Sequence, residues 1–295
     1  MRNQTTKNYR GGHFHDRIRI EQQSKNPRDG HGTFLLTPDQ AENSVKAALS
    51  CGYRLIDTAN AYVNERAVGR AMKASGVKRE NIFLSTKLWP TVYEAEDAVQ
   101  KTLERLQTDY IDLLFIHQPA GNWLAGYRQL VKAYKAGVIR SIGISNFRGE
   151  KLKKLLAEAE IKPHVIQLEA HPYCTEADVM AELAPYGTKL MSWYPLGHGD
   201  KALLQENVFE KLGKKYGKSA VQIILRWHMQ KGFIVIPGSS NPAHVASNFE
   251  VFDFALTDGE MQEIAALDKN VRYYNATPAQ EEAYANMHPD MDEQK

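Results

Sequence analysis

Short β-branched and apolar runs alternate with longer amphipathic stretches along most of the chain. The runs occupy residues 32–35, 53–57, 81–87, 111–117, 140–145, 164–169, 189–193 and 233–237. Several are nearly continuous in apolar residues, such as Ile111, Leu113, Leu114, Phe115 and Ile116, as strands buried in a parallel sheet are. Between the runs, apolar residues recur at helical spacing. Val92, Ala95, Val99, Leu103 and Leu106 follow a capping-box start at Thr91 and Glu94 behind Pro90. Leu152, Leu155, Leu156 and Ala159 form a second stripe, and Val221, Ile224, Leu225 and His228 a third. Eight strands alternating with helices predict an α/β fold, a single-domain (β/α)8 TIM barrel. An open doubly wound sheet is announced by G-x-G-x-x-G in its first turn, and here Leu35 stands where the third glycine belongs.

Composition narrows the class. The chain has 295 residues, 43% of them hydrophobic, enough for one large core. Its 37 Lys and Arg against 35 Asp and Glu leave a charge of +2, which argues against a dedicated nucleic-acid binder. No apolar run approaches the roughly 18 residues of a membrane span. The first residues are polar and lack the apolar segment of a secretory signal. Residues 1–30 carry a net +4 with few large apolar side chains, so 1–29 is expected to be partly disordered. Cys51 and Cys174 make neither a disulfide framework nor a C-x-x-C motif. The expectation is a reduced, cytoplasmic protein with a small-molecule partner and no nucleic-acid or membrane partner. Its barrel is expected over 30–268, followed by a tail over 269–295.

In such a barrel chemistry belongs at the carboxyl ends of the strands. Asp57 ends the second run, Lys87 the third, His117 the fourth, Ser145 and Asn146 the fifth, Gln167 to Glu169 the sixth and Trp193 the seventh. Singly, each has an ordinary explanation: a helix cap, a lysine reaching the rim, a half-buried histidine. Unpaired charges at three successive strand ends are costly, so topology predicts that they meet. Tyr62, five residues past Asp57, joins them. No nucleophile with its base, no paired carboxylates of a glycosidase and no metal-ligand cluster appear. A phenol beside an ammonium suits proton donation to a carbonyl, with the Lys cation favouring the phenolate and lowering the phenol's pKa. An imidazole on the other side orients the carbonyl, and such a reaction needs a hydride source.

Four separated motifs carry a resemblance. Residues 54–65 (RLIDTANAYVNE), 112–119 (DLLFIHQP), 143–147 (GISNF) and 234–249, with its IVIP, Asn241-Pro242 and Asn248-Phe249, resemble the signatures of the aldo-keto reductases. Short connections are closest to the bacterial diketogluconate-reductase and prostaglandin-F-synthase-like branch. The resemblance implies a nicotinamide cofactor across the barrel mouth, carbonyl–alcohol interconversion and a monomer. Tyr62 would be the general acid, Lys87 and Asp57 its tuning pair, and His117 the group orienting the carbonyl. Ser145, Asn146 and Gln167 would hold the nicotinamide carboxamide, with Trp193 stacked on the ring. Further cofactor contacts are implied for Gly32, Thr33, Pro195, Leu196, Ile236, Ser239, Ser240, Asn241, His244 and Asn248. Phe34, Trp89 and Trp123 would wall the substrate pocket; ordinary rim packing is the alternative for them. A non-catalytic nucleotide-binding accessory protein of the same fold is the rival function, and a sugar-processing barrel a third.

Three departures from the family pattern matter. Gly238 and His244 stand where a Lys and an Arg commonly grip the 2′-phosphate of NADP(H), so NAD(H) use beside NADP(H) is expected. Ile166 replaces a common Asn beside Gln167. Asp29 and His31 occupy places where apolar residues are usual, and residues 1–26 show no clean hairpin, predicting a poorly closed barrel floor. The tail carries Tyr273, Tyr274 and Tyr284, placed either to fold over the mouth or to hang free.

Overall fold

The computed structural model describes residues 28–294. Eight parallel strands pair in chain order: β1 (Gly30–Gly32), β2 (Leu55–Asp57), β3 (Phe83–Leu88), β4 (Leu113–Ile116), β5 (Ile142–Ser145), β6 (Val165–Glu169), β7 (Lys189–Trp193) and β8 (Ile234–Val235). Each lies inside or beside its predicted run, and most are shorter. The first starts two residues earlier than predicted, because Gly30 to Gly32 pair with Leu55 to Asp57. The seam between β8 and β1 is held by Val235 N–H to Arg28 O at 2.9 Å and Gly32 N–H to Pro237 O at 3.2 Å. The expected disorder of 1–29 and the missing hairpin fall almost wholly outside the described residues.

The helices wrap the sheet: α1 (Pro38–Cys51), α2 (Glu65–Ala74), α3 (Ala98–Leu106), α4 (Trp123–Lys135), α5 (Gly149–Glu158), α6 (Ala177–Leu183), α7 (Lys201–Leu204), α8 (Asn207–Tyr216), α9 (Ala220–Gln230), α10 (Pro242–Phe249), α11 (Asp258–Ala265) and α12 (Pro278–Asn286). Thr37, Ser219, Thr257 and Thr277 each open a helix with a full capping box. The box predicted at Thr91 does not form. Pro90–Val92 is a single 3-10 turn, and α3 begins at Ala98 behind Asp97. Asn241 caps α10, its side chain accepting from Ala243 N–H.

Two-residue alternation sorts the strands into an inner and an outer face. Leu55, Phe83, Leu113, Phe115, Val165, Met191, Ile234 and Ile236 pack together inside the barrel. Gly143 belongs to this face: a Cβ there would lie 2.3 Å from the Phe115 ring. The outward residues, among them Ile56, Leu84, Leu114, Ile144 and Ile166, pack against the helices in the larger core. One step further along each inner face lie Asp57, Ser85 and Lys87, His117, Ser145, Gln167 and Trp193. The barrel's apolar plug is thus the floor on which the polar residues stand.

Candidate functional site

The polar residues meet at the carboxyl end of the barrel. Lys87, fully buried, donates from Nζ to Asp57 Oδ2 at 2.6 Å and to Thr58 O at 2.7 Å. Asp57 Oδ1 accepts from Ser85 Oγ at 2.7 Å and Gln167 Nε2 at 3.1 Å. The carboxylate therefore has partners on both oxygens, which a buried charge requires. Ser85 and Thr58 were not singled out in the sequence; Ser85 shares Lys87's face two residues earlier, which is the signal that finds it. Burial pushes the Lys87 ammonium below its ordinary pKa, while Asp57 pulls it back up.

Tyr62 closes a 3-10 turn (Asn60–Tyr62) after β2, with Val63 in the left-handed region ending it. This turn carries its ring over the site. Lys87 Nζ lies 4.8 Å from the ring centroid, and the His117 ring meets it edge-on at 5.6 Å. The expected lowering of the phenol's pKa is corrected: burial and the Asp57 charge hold it well above 10, so the resting hydroxyl keeps its proton. Burial and the Lys87 charge hold His117 well below its ordinary range, so the imidazole is neutral. Its Nδ1 has no partner among the described residues.

These groups face a cavity of about 620 Å³, within the range of small-molecule and cofactor sites. Asp57, Tyr62, Trp89, His117, Ser145, Asn146, Gln167 and Trp193 all line it, as do Gly32, Phe34, Pro195, Leu196 and Ile236. Trp193 donates from Nε1 to Asn146 Oδ1 at 3.2 Å, and Asn146 Nδ2 donates to Gln118 Oε1 at 3.1 Å. The Asn146 amide is thereby set in one orientation, with its backbone at φ 65.

Other predicted residues lie elsewhere. Trp123 is corrected: it opens α4, is buried, and packs its ring on Phe147 at 5.2 Å inside the helix-facing core. It does not line the cavity. Thr33 is fully buried, donating to Asp57 O at 3.2 Å, so it supports the site from behind. The cavity reaches Gly238. Beyond it Ser239 is half-buried, Ser240, Asn241 and His244 are exposed, and Asn248 is half-buried on α10.

The tail supplies lining that the sequence left open. Tyr274, Tyr284, Met287 and Pro289 border the cavity. Trp89 Nε1 donates to Met287 O at 2.9 Å, and its ring meets both His117 at 5.0 Å and Tyr284 at 5.4 Å. At the other end of the tail, buried Glu169 accepts Tyr273 N–H at 2.6 Å and Tyr274 N–H at 2.9 Å. Gln118, Tyr194 and His198 also line the cavity and were not selected from sequence. His198 stacks on Tyr194 at 4.4 Å between two glycines, a polar residue in a turn that only position could have revealed.

The site has a polar floor and an aromatic wall, and the family model for the aldo/keto reductase family matches residues 30–269. The chain belongs to that family. It is 37% identical over 259 residues to the methylglyoxal reductase DkgA of Escherichia coli strain K12, spanning 86% of this chain and 94% of the relative. It is 41% identical over 262 residues to the glyoxal reductase of Bacillus subtilis strain 168, spanning 87% and 94%. Among solved structures, an aldo-keto reductase from a Medee basin deep-sea metagenome library superposes with a TM-score of 0.81 at 38% identity, over 85% of this chain and 94% of that one. This aldo-keto reductase is a nicotinamide-dependent enzyme that reduces carbonyl compounds. No helix among the described residues is long and apolar enough to cross a membrane.

Proposed function

We propose that this reductase converts small aldehydes and ketones, 1,2-dicarbonyls foremost, to alcohols, with Tyr62 as the proton donor. The observation that carries the reading is the buried Asp57–Lys87 pair, bonded at 2.6 Å, beneath the Tyr62 ring. The cavity fits a nicotinamide dinucleotide in its donor set. Ser145, Asn146 and Gln167 present a hydroxyl and two amides at the polar end, suited to a carboxamide. Trp193 offers an aromatic face beside them, and the trough leads past Pro195 and Leu196 to Gly238. A bound reduced nicotinamide supplies the hydride to the carbonyl carbon.

The protein's part is binding, orientation and proton supply. Neutral His117 donates one hydrogen bond to the carbonyl oxygen and polarises it. The Tyr62 hydroxyl, kept protonated by burial, transfers its proton to that oxygen as negative charge develops. The Lys87 cation then stabilises the phenolate, and Asp57, oriented by Ser85 and Gln167, keeps Lys87 charged. Phe34, Trp89 and the tail residues Tyr284 and Met287 line the apolar side of the same cavity.

For the cofactor, NADPH with substantial NADH use is proposed, because Gly238 and His244 offer no Lys–Arg grip on a 2′-phosphate. Such charge-assisted bonds contribute about 1.5–3 kcal/mol each. The DkgA and B. subtilis relatives, named for methylglyoxal and glyoxal reduction, support the dicarbonyl class. The protein is proposed to act as a monomer in a reducing cytoplasm, where Cys51 and Cys174 stay free thiols. The test is oxidation of NADPH and of NADH with methylglyoxal, glyoxal, aromatic aldehydes and keto-sugars. Turnover of the dicarbonyls with both cofactors is expected. An NADPH preference above about a thousandfold, roughly 4 kcal/mol, contradicts the relaxed specificity.

A further inference from the structure

His31 lies buried on the outer face of β1, and Asp29, just before the strand, is buried too. Gly30 and Gly32 face the barrel; Asp29 and His31 face the helices. His31, 1% exposed, meets the Tyr53 ring edge-on at 5.9 Å. Its Nε2 is 2.6 Å from Ser44 Oγ on α1, and the Ser44 hydroxyl donates to Ser239 O at 2.5 Å. A hydroxyl has one proton to give. With that proton on Ser239 O, the contact with His31 requires the proton to sit on Nε2. The relay is therefore directional, from imidazole N–H to serine oxygen and from serine O–H to a backbone carbonyl 195 residues away. Burial keeps the imidazole neutral, its pKa down at about 4.

Ser239 belongs to the connection between β8 and α10, beside the Gly238 end of the cavity. The same connection also passes close to β1: a Cβ on Gly238 would stand 2.7 Å from Gly32 O. A lysine at 238 would push this segment off β1. The loop thus lies against the strand, with Ser239 O tied down and Ser239 Oγ accepting Asn241 N–H at 3.1 Å.

We propose that His31 and Ser44 are positioning residues for the adenosine end of the cofactor. By holding Ser239 O they set the Ser239 and Ser240 hydroxyls in place, so that a pre-arranged loop replaces the missing cationic side chains. The inference rests on the proposed reading of the segment after β8 as the adenosine site. Neither residue touches the cofactor; both act through the loop backbone.

The test compares Ser44→Ala, Ser44→Thr and His31→Leu in the full chain. Calorimetry with 2′,5′-ADP measures the adenosine end alone, and turnover of methylglyoxal driven by reduced nicotinamide mononucleotide measures the nicotinamide end alone. Ser44→Ala and His31→Leu are expected to raise the Kd for 2′,5′-ADP about five- to tenfold, as loss of one relay bond implies. Turnover with the mononucleotide is expected to stay within twofold of the parent, and Ser44→Thr to restore nucleotide affinity. A Kd unchanged in both variants overturns the inference, as does an equal loss in the two assays with a fall in Tm, the pattern of a merely structural role. If the parent protein binds neither 2′,5′-ADP nor NADPH, the reading of the loop as an adenosine site fails instead.

Discussion

The Lys87 ammonium stands 4.8 Å from the centre of the Tyr62 ring while bonded at 2.6 Å to Asp57. It is fully buried and shares no solvent. Since burial keeps the phenol protonated, the cation's work comes after proton transfer, when the ring oxygen carries charge. Lys87→Met removes that stabilisation and leaves Asp57 a buried, uncompensated anion. Its kcat/KM for methylglyoxal with NADPH is expected to fall about 10²- to 10⁴-fold. Asp57→Asn keeps the bonds from Ser85 and is expected to lose less. Steady-state kinetics on both variants checks the order.

The direction of the Tyr62 shift predicts a pH profile. A donor whose pKa lies well above 10 stays competent in alkali. Carbonyl reduction measured as kcat/KM is therefore expected to be flat from about pH 6 to pH 9. Alcohol oxidation needs the phenolate as base and is expected to rise through the same range. A reduction limb falling near neutrality would mean that a different acid supplies the proton.

Asp29 is a buried carboxyl with no partner on either oxygen among the described residues. Burial raises its pKa well above 3.8, so the folded state binds a proton that the unfolded state has released. The sign follows from linkage: stability declines as pH rises from the unfolded value through the raised one. Asp29→Asn is expected to stabilise the protein by about 1–3 kcal/mol at pH 7, with the gain shrinking toward pH 4. His31 acts oppositely. Its folded pKa of about 4, against 6.5, gives stability that is present above pH 6.5 and lost as pH falls through that window. Denaturant melts of the parent protein, Asp29→Asn and His31→Leu across pH 4–8 measure the two slopes.

Trp89 and Trp123 separate packing from recognition. Trp123 is core, so Trp123→Ala is expected to cost about 3–5 kcal/mol of stability while the KM for substrate stays put. Trp89 joins His117 to Tyr284 and holds Met287 O. Trp89→Phe retains an apolar ring but frees that carbonyl, and is expected to raise the substrate KM several-fold with a smaller change in Tm. Paired thermal melts and kinetics on the two variants decide it.

The barrel was legible because each buried strand announces itself as an apolar run, and the polar residue ending it breaks the run. Asp57, Lys87 and His117 could be read together for that reason. The edges were less legible. Leu35 and Ile236 continue apolar patterns past the ends of their strands, and at Thr91 the chain makes a single 3-10 turn instead of opening a helix. Trp123 was misplaced because an aromatic after a loop reads the same whether it turns to the cavity or the core. The tail's path depends on Glu169 accepting two N–H groups from over a hundred residues away, which no local pattern records.

Tyr62→Phe tests the central claim most directly. It removes one oxygen while keeping the ring that Phe34, His117 and Lys87 pack against. Pre-steady-state reduction of methylglyoxal with saturating NADPH should slow by about a thousandfold or more, roughly 4 kcal/mol, with the Kd for NADPH unchanged. A rate within tenfold of the parent enzyme would show that the proton comes from elsewhere.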